Sequence, residues 1–123
     1  MNFKYKINAH DEYFSMSFDE LDNVEGCKKT LSEWLVADVQ SSEFALKILE
    51  KVVSGECDED EFGGNVFDVH VGKEFTKISF YFEKDNPKLK PCIVPTELLY
   101  EIVKVWLSER EKFYANRWLK VGN

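Results

Sequence analysis

No apolar run in this chain approaches the roughly 20 residues that span a bilayer, and Met1-Asn2-Phe3-Lys4-Tyr5-Lys6 lacks the apolar block of a signal peptide. A cytoplasmic protein is expected. Cysteine is scarce: Cys27, Cys57 and Cys92 are odd in number and far apart. That excludes a disulfide framework or a Cys-x-x-Cys metal knuckle, and the thiols are expected to stay reduced. Histidine is scarcer, with only His10 and His70. Gly63-Gly64 runs into Asn65 and a strand pattern without Gly-Lys-Ser/Thr or Gly-x-Gly-x-x-Gly, so it cradles no phosphate.

Apolar and aromatic residues are plentiful. They make up 44% and 15% of 123 residues, enough for the core of one domain and too much for a disordered chain, so residues 1–123 are read as a single globular domain.

Charge is the most informative quantity. Residues 1–62 carry 15 acids against 6 bases, whereas residues 63–123 carry 8 against 10, so the net charge of −7 divides into −9 and +2. Two dense clusters stand out: Asp19, Glu20, Asp22 and Glu25, then Glu56, Asp58, Glu59, Asp60 and Glu61. A field of that sign repels phosphate backbones and anionic lipid, so direct nucleic-acid binding and membrane association are not expected. Either the clusters keep a small protein soluble, or Asp19, Glu20, Asp22, Asp58, Glu59, Asp60 and Glu61 form a docking surface for a basic protein. In the second case they would raise the association rate more than the affinity.

The periodicity gives two hairpins. Phe3, Tyr5 and Ile7 alternate with polar residues, as do Phe14, Met16 and Phe18. A turn at His10-Asp11 would set Ile7 against Phe14, Tyr5 against Met16 and Phe3 against Phe18, with every apolar residue on one side. From Gly64 to Glu83, a type II′ turn at Gly72-Lys73 would set Val71 against Glu74, Val69 against Thr76 and Phe67 against Ile78, with Phe80 and Phe82 extending that face. Lys90-Pro91-Cys92-Ile93-Val94 reads as an edge strand.

Helices fill the remainder. One is expected over about Lys28 to Val39, and another is capped by Ser41 or Ser42, striped by Phe44, Ala45, Ile48, Leu49, Val52 and Val53, and closed by Gly55. The last begins at Thr96 after Pro95, carries Leu99, Ile102, Val103, Trp106 and Phe113 on one face, and is expected to end near Ala115. Residues 56–61 are read as a mobile acidic loop. The fold class is α+β, an antiparallel sheet of about five strands in ββααβββα order with helices on one face.

Chemistry finds little footing. Asp58 to Gly63 has acids at the first and third positions of a calcium loop, but Phe62 takes the fifth and Val69 the twelfth, where a bidentate carboxylate is required. No metal or cofactor is expected. His70 with Cys92 is the sole conceivable thiol–imidazole pair, and the acidic runs lack the apolar pocket that separates two carboxylate pKa values. Trp118, in Asn116-Arg117-Trp118-Leu119-Lys120-Val121, follows the expected helix end. It either folds back onto the core or serves as an interface anchor.

The segment Ile93-Val94-Pro95-Thr96-Glu97-Leu98-Leu99-Tyr100-Glu101-Ile102-Val103-Lys104-Val105-Trp106-Leu107, in a small acidic α+β chain, resembles the immunity proteins of bacterial contact-dependent inhibition and related polymorphic toxin systems. The resemblance covers the last half of the chain and contains no diagnostic motif, so no site residue carries over. It implies an antitoxin that occludes the active site of a cognate basic toxin such as a nuclease, and no catalytic activity of its own. The alternatives are a small enzyme using His70 and Cys92 or a carboxylate pair, and a structural accessory protein. Oligomeric state and the toxin's identity are not legible.

Overall fold

The computed structural model describes residues 3–10, 13–21, 28–82 and 89–121, with residues 10, 13 and 116–121 described in backbone only. Strands β1 (Phe3–His10) and β2 (Tyr13–Leu21) are followed by α1 (Lys28–Trp34), a π-helical turn (Leu35–Val39) and α2 (Phe44–Val53). Strands β3 (Glu59–Gly63), β4 (Phe67–Gly72), β5 (Phe75–Phe80) and β6 (Cys92–Pro95) lead into α3 (Thr96–Val121). The α+β class stands, but the expected single sheet divides in two: β1–β2 form one, and β3-β4-β5-β6, in that order and antiparallel throughout, form the other.

Both hairpins keep the expected faces in a different register. Ile7 lies opposite Met16 and Tyr5 opposite Phe18, and Val69 lies opposite Ile78 and Phe67 opposite Phe80. Each pairing is displaced by two residues from expectation. A strand has a side-chain period of two, so that displacement moves the turn and leaves the paired apolar residues on their face. The second connection therefore falls on Lys73–Glu74, while Asp11 of the first expected turn lies outside the described residues. Gly72 does not have the positive φ of a type II′ turn; among described glycines Gly55 alone does.

The core follows from these faces. Phe67, Val69, Val71, Thr76, Ile78, Cys92 and Val94 point inward from the four-stranded sheet, and Phe14, Met16 and Phe18 from the hairpin. They meet Leu31, Trp34 and Leu35, the α2 stripe Ala45, Ile48, Leu49 and Val52, and the α3 stripe Leu98, Leu99, Ile102, Val103 and Trp106. Phe44 and Phe82, expected inside, are exposed. Trp106 is 1% exposed and donates its indole N–H to the Gln40 carbonyl at 2.8 Å, while Phe14 packs on its ring at 5.2 Å between centroids. That tryptophan joins the hairpin to α3.

Local chemistry sets the ends of the helices. The Ser42 hydroxyl accepts the Phe44 N–H at 3.2 Å, and α2 stops where Gly55 takes φ 84° and its N–H reaches the Val52 carbonyl at 3.1 Å. Thr96 opens α3, but its hydroxyl serves the sheet. It donates to the Gly72 carbonyl at 2.6 Å, so the Thr76 hydroxyl at 2.9 Å is the one that donates to it. On the outer side of α3, Lys104–Glu101 and Lys112–Glu109 pair at 2.9 and 3.8 Å.

Two expectations are corrected at the ends of elements. Helix α3 continues to Val121, so Trp118 lies within it rather than beyond it, because the polar Ser108-Glu109-Arg110-Glu111-Lys112 stretch is good helix-forming sequence and not a terminus. Its side chain lies outside the described residues. Cys92 is wholly buried and disulfide-bonded, with a partner outside the described residues, whereas Cys57 is a free thiol.

Candidate functional site

The second acidic cluster is strand rather than mobile loop. Strand β3 pairs Glu59 with Gly72, Glu61 with His70 and Gly63 with Asp68 along one edge of the four-stranded sheet. Alternation sends Glu59 and Glu61 to the outer face, and Asp60 and Phe62 inward, where Phe62 meets the Phe44 ring edge-on. The four acids therefore do not act as one block. Asp58 pairs with Lys73 at 2.9 Å, Glu61 with His70 at 2.6 Å, and the Asp60 carboxylate accepts the Glu61 N–H. Glu59 has no ion-pair partner among the described residues.

Among the described residues no helix covers the outer face of this sheet, where Asp68, His70, Phe75, Lys77 and Ile93 are exposed. Directly paired residues put their side chains on the same face, which builds two adjacent rows. One runs Glu59, Gly72, Phe75, Pro95, in which Gly72 and Phe75 flank the Lys73–Glu74 turn. The other runs Glu61, His70, Lys77, Ile93. Phe75 and Ile93 are 52% and 56% exposed, unusual for large apolar side chains in neighbouring strands of one open face. Over residues 56–77 there are seven acids against two lysines, a net of −5.

The first acidic cluster differs. A bulge between Lys4 and Tyr5 leaves Asp19 as the extra residue of β2. Lys6 reaches its carboxylate at 3.6 Å, Lys28 bonds its carbonyl at 2.7 Å, and Lys4 lies 3.7 Å from Glu20. These acids already face lysines of their own hairpin. Asp22 lies outside the described residues, as do the side chains of Trp118 and His10.

The structure does not bring His70 and Cys92 together. His70 is exposed on the outer face, Cys92 lies on the inner face opposite Ile78 at zero exposure, and the disulfide occupies its sulfur.

Sequence reasoning missed Asp38. The π-helical turn aims its carboxylate at the connection between β3 and β4, where Asn65 and Val66 donate to Oδ1 at 3.0 and 3.2 Å and Phe67 to Oδ2 at 2.9 Å. The fit is close enough that a Cβ on Gly64 would collide with it. A carboxylate in the apolar run Leu35-Val36-Ala37-Asp38-Val39 was the available signal, since such a group must find donors. It lines a cavity of about 220 Å³ with Trp34, Phe44 and Phe62, yet its oxygens are engaged by backbone, so its role is structural. A larger opening of about 540 Å³ beside α3 holds Arg110, whose guanidinium lies over the Tyr114 ring at 4.6 Å.

No family model, curated protein or solved structure matches this chain.

Proposed function

We propose that this protein is a stoichiometric binding module that neutralises a basic protein partner, in the manner of the toxin-immunity proteins its C-terminal segment resembles. The observation that supports it is the display of Glu59, Glu61 and Asp68 on an edge strand and the sheet face beside exposed Phe75 and Ile93, within a stretch, residues 56–77, that carries seven acids against two lysines. Such a face steers a cationic partner through its charge and holds it by desolvating the two apolar side chains. A nuclease domain is a fitting partner, because its own active-site surface must be basic to bind phosphates.

The enzyme alternative has lost its one thiol–imidazole pair. Residues 19 and 20 contribute less than the sequence suggests, since their charge is met by Lys4 and Lys6. The proposed location is the cytoplasm, where a toxin domain would act. The Cys92 disulfide sets a condition on it, because such bonds are rare in reducing compartments. Thiol titration of the denatured, unreduced protein reads all three cysteines only if that bond is open.

The functional test starts from the reading frame immediately upstream, where a product ending in a basic domain is expected, and co-expresses that domain with this chain. Growth rescue and a one-to-one complex are expected. Continued toxicity without a complex removes the inhibitor reading.

A further inference from the structure

The outer sheet face contains a gap with a defined chemistry. In the row Glu59, Gly72, Phe75, Pro95, the second position has no side chain, so the Gly72 backbone forms the floor of a depression of about 280 Å³. Its walls are Glu59, His70, Phe75, Lys77 and Ile93. One side is thus a carboxylate without an ion-pair partner among the described residues, the other carries two exposed apolar side chains, and Lys77 and His70 complete the wall. Glu61 in the adjacent row is already engaged by His70, which leaves Glu59 as the acceptor.

We propose that this depression receives a lysine or arginine side chain of the basic protein partner, with its stem on Phe75 and Ile93 and its cationic head at Glu59. This rests on the binding-module reading and narrows it to one face and one type of anchor. A long basic side chain is the residue type that presents an apolar stem and a charged end together. Its charge also finds the face of the Phe75 ring within reach. An anionic group would meet the Glu59 carboxylate in the wall, and a short apolar side chain would leave Glu59 desolvated and unpaired, which is costly. The surrounding net of −5 over residues 56–77 selects a partner whose neighbouring residues are basic as well.

The test uses the full ¹⁵N-labelled chain and three capped synthetic peptides, Ala-Leu-Lys-Leu-Ala and its norleucine and glutamate counterparts at the central position. The lysine peptide at millimolar concentration should shift the amides of Glu59, Gly72, Phe75, Lys77 and Ile93 and leave those of Lys4, Lys6, Asp19 and Glu20 in place. Norleucine, which keeps the stem and lacks the charge, should bind at least fivefold more weakly, and glutamate should give no shift. Glu59→Gln and Phe75→Ser should each weaken the lysine peptide at least fivefold while their spectra stay dispersed.

Shifts centred on the hairpin, equal shifts with norleucine, or none at all would overturn the proposal. So would concentration-dependent shifts of the same amides without peptide, which would mark the face as a contact between two copies of the chain. Growth rescue without the peptide effect would leave the inhibitor reading and remove the depression. The peptide effect without rescue would support the depression and remove the inhibitor reading.

Discussion

The hairpin β1–β2 and the sheet β3–β6 both carry an acidic cluster on an exposed strand, and they differ in how completely the protein's own bases answer it. In the hairpin the acids lie across from lysines, with Lys4 at Glu20 and Lys6 at Asp19. In the larger sheet Lys73 and His70 meet Asp58 and Glu61, Glu59 is left over, and two large apolar side chains stand beside it. Counting charge along a chain weighs the two clusters alike. Strand pairing separates them, because cross-strand neighbours decide whether an acid is answered within the protein or left for something else.

The largest effect is expected where the hairpin leans on the helices. Trp106→Ala removes a buried ring and leaves the Gln40 carbonyl without its donor, at an expected cost of about 3–5 kcal/mol in urea unfolding. Amide exchange should then quicken more in β1 and β2 than in β4, because Phe14 loses the surface it packs on. Equal quickening would show that the two sheets behave as one unit.

Asp38→Ala acts on the other side of the comparison. Three backbone amides lose a charged acceptor, two of them part-buried, and roughly 3 kcal/mol of stability should go with it. Asp38→Asn should recover part of that loss, since one oxygen remains. A midpoint unchanged by the alanine variant would mean that water replaces the carboxylate without penalty.

The smallest effects sharpen the comparison most directly. Neutralising Asp19 and Glu20 to Asn and Gln breaks two exposed pairs and should cost within about 0.5 kcal/mol, falling further in salt. Glu59→Gln, with no ion-pair partner among the described residues, should leave stability unchanged or slightly raised. On helix α3, the hydrogen bond to Glu101 raises the Lys104 ammonium above its ordinary 10.5, partly offset by desolvation. A group whose folded pKa is raised stabilises fully below its unfolded value and loses that contribution as pH climbs through the folded one. A Glu101→Gln variant should therefore match the parent in alkaline melting once Lys104 is deprotonated.

How far these features were legible depended on what each residue could signal alone. Both hairpins kept their apolar faces because alternation fixes parity, whereas the second turn was set one residue early because Gly72 advertised a turn that Lys73–Glu74 makes. Strand β3 was hidden by composition, since Asp and Glu are poor strand formers and only Phe62 hinted at an inward side. Helix α3 outran its apolar stripe, and the π-helical turn, a change of one residue in hydrogen-bond spacing, has no compositional mark. The acids of the candidate site were readable as a cluster. Their partners, and the exposed Phe75 and Ile93 beside them, were not, because exposure is decided by the missing cover on one sheet face.

The order β3-β4-β5-β6 is also the order of the chain, and among the described residues β1 pairs only with β2. Every strand thus finds its partner next along the sequence, so little loop-closure entropy opposes either sheet, and both are free to zip early. The distant bonds, from Trp106 to Gln40 and from Phe67 to Asp38, belong to a later docking stage. Substitutions at those contacts should speed unfolding more than they slow folding, so the lifetime of the native state, rather than the time taken to reach it, rests on a few side chains between elements.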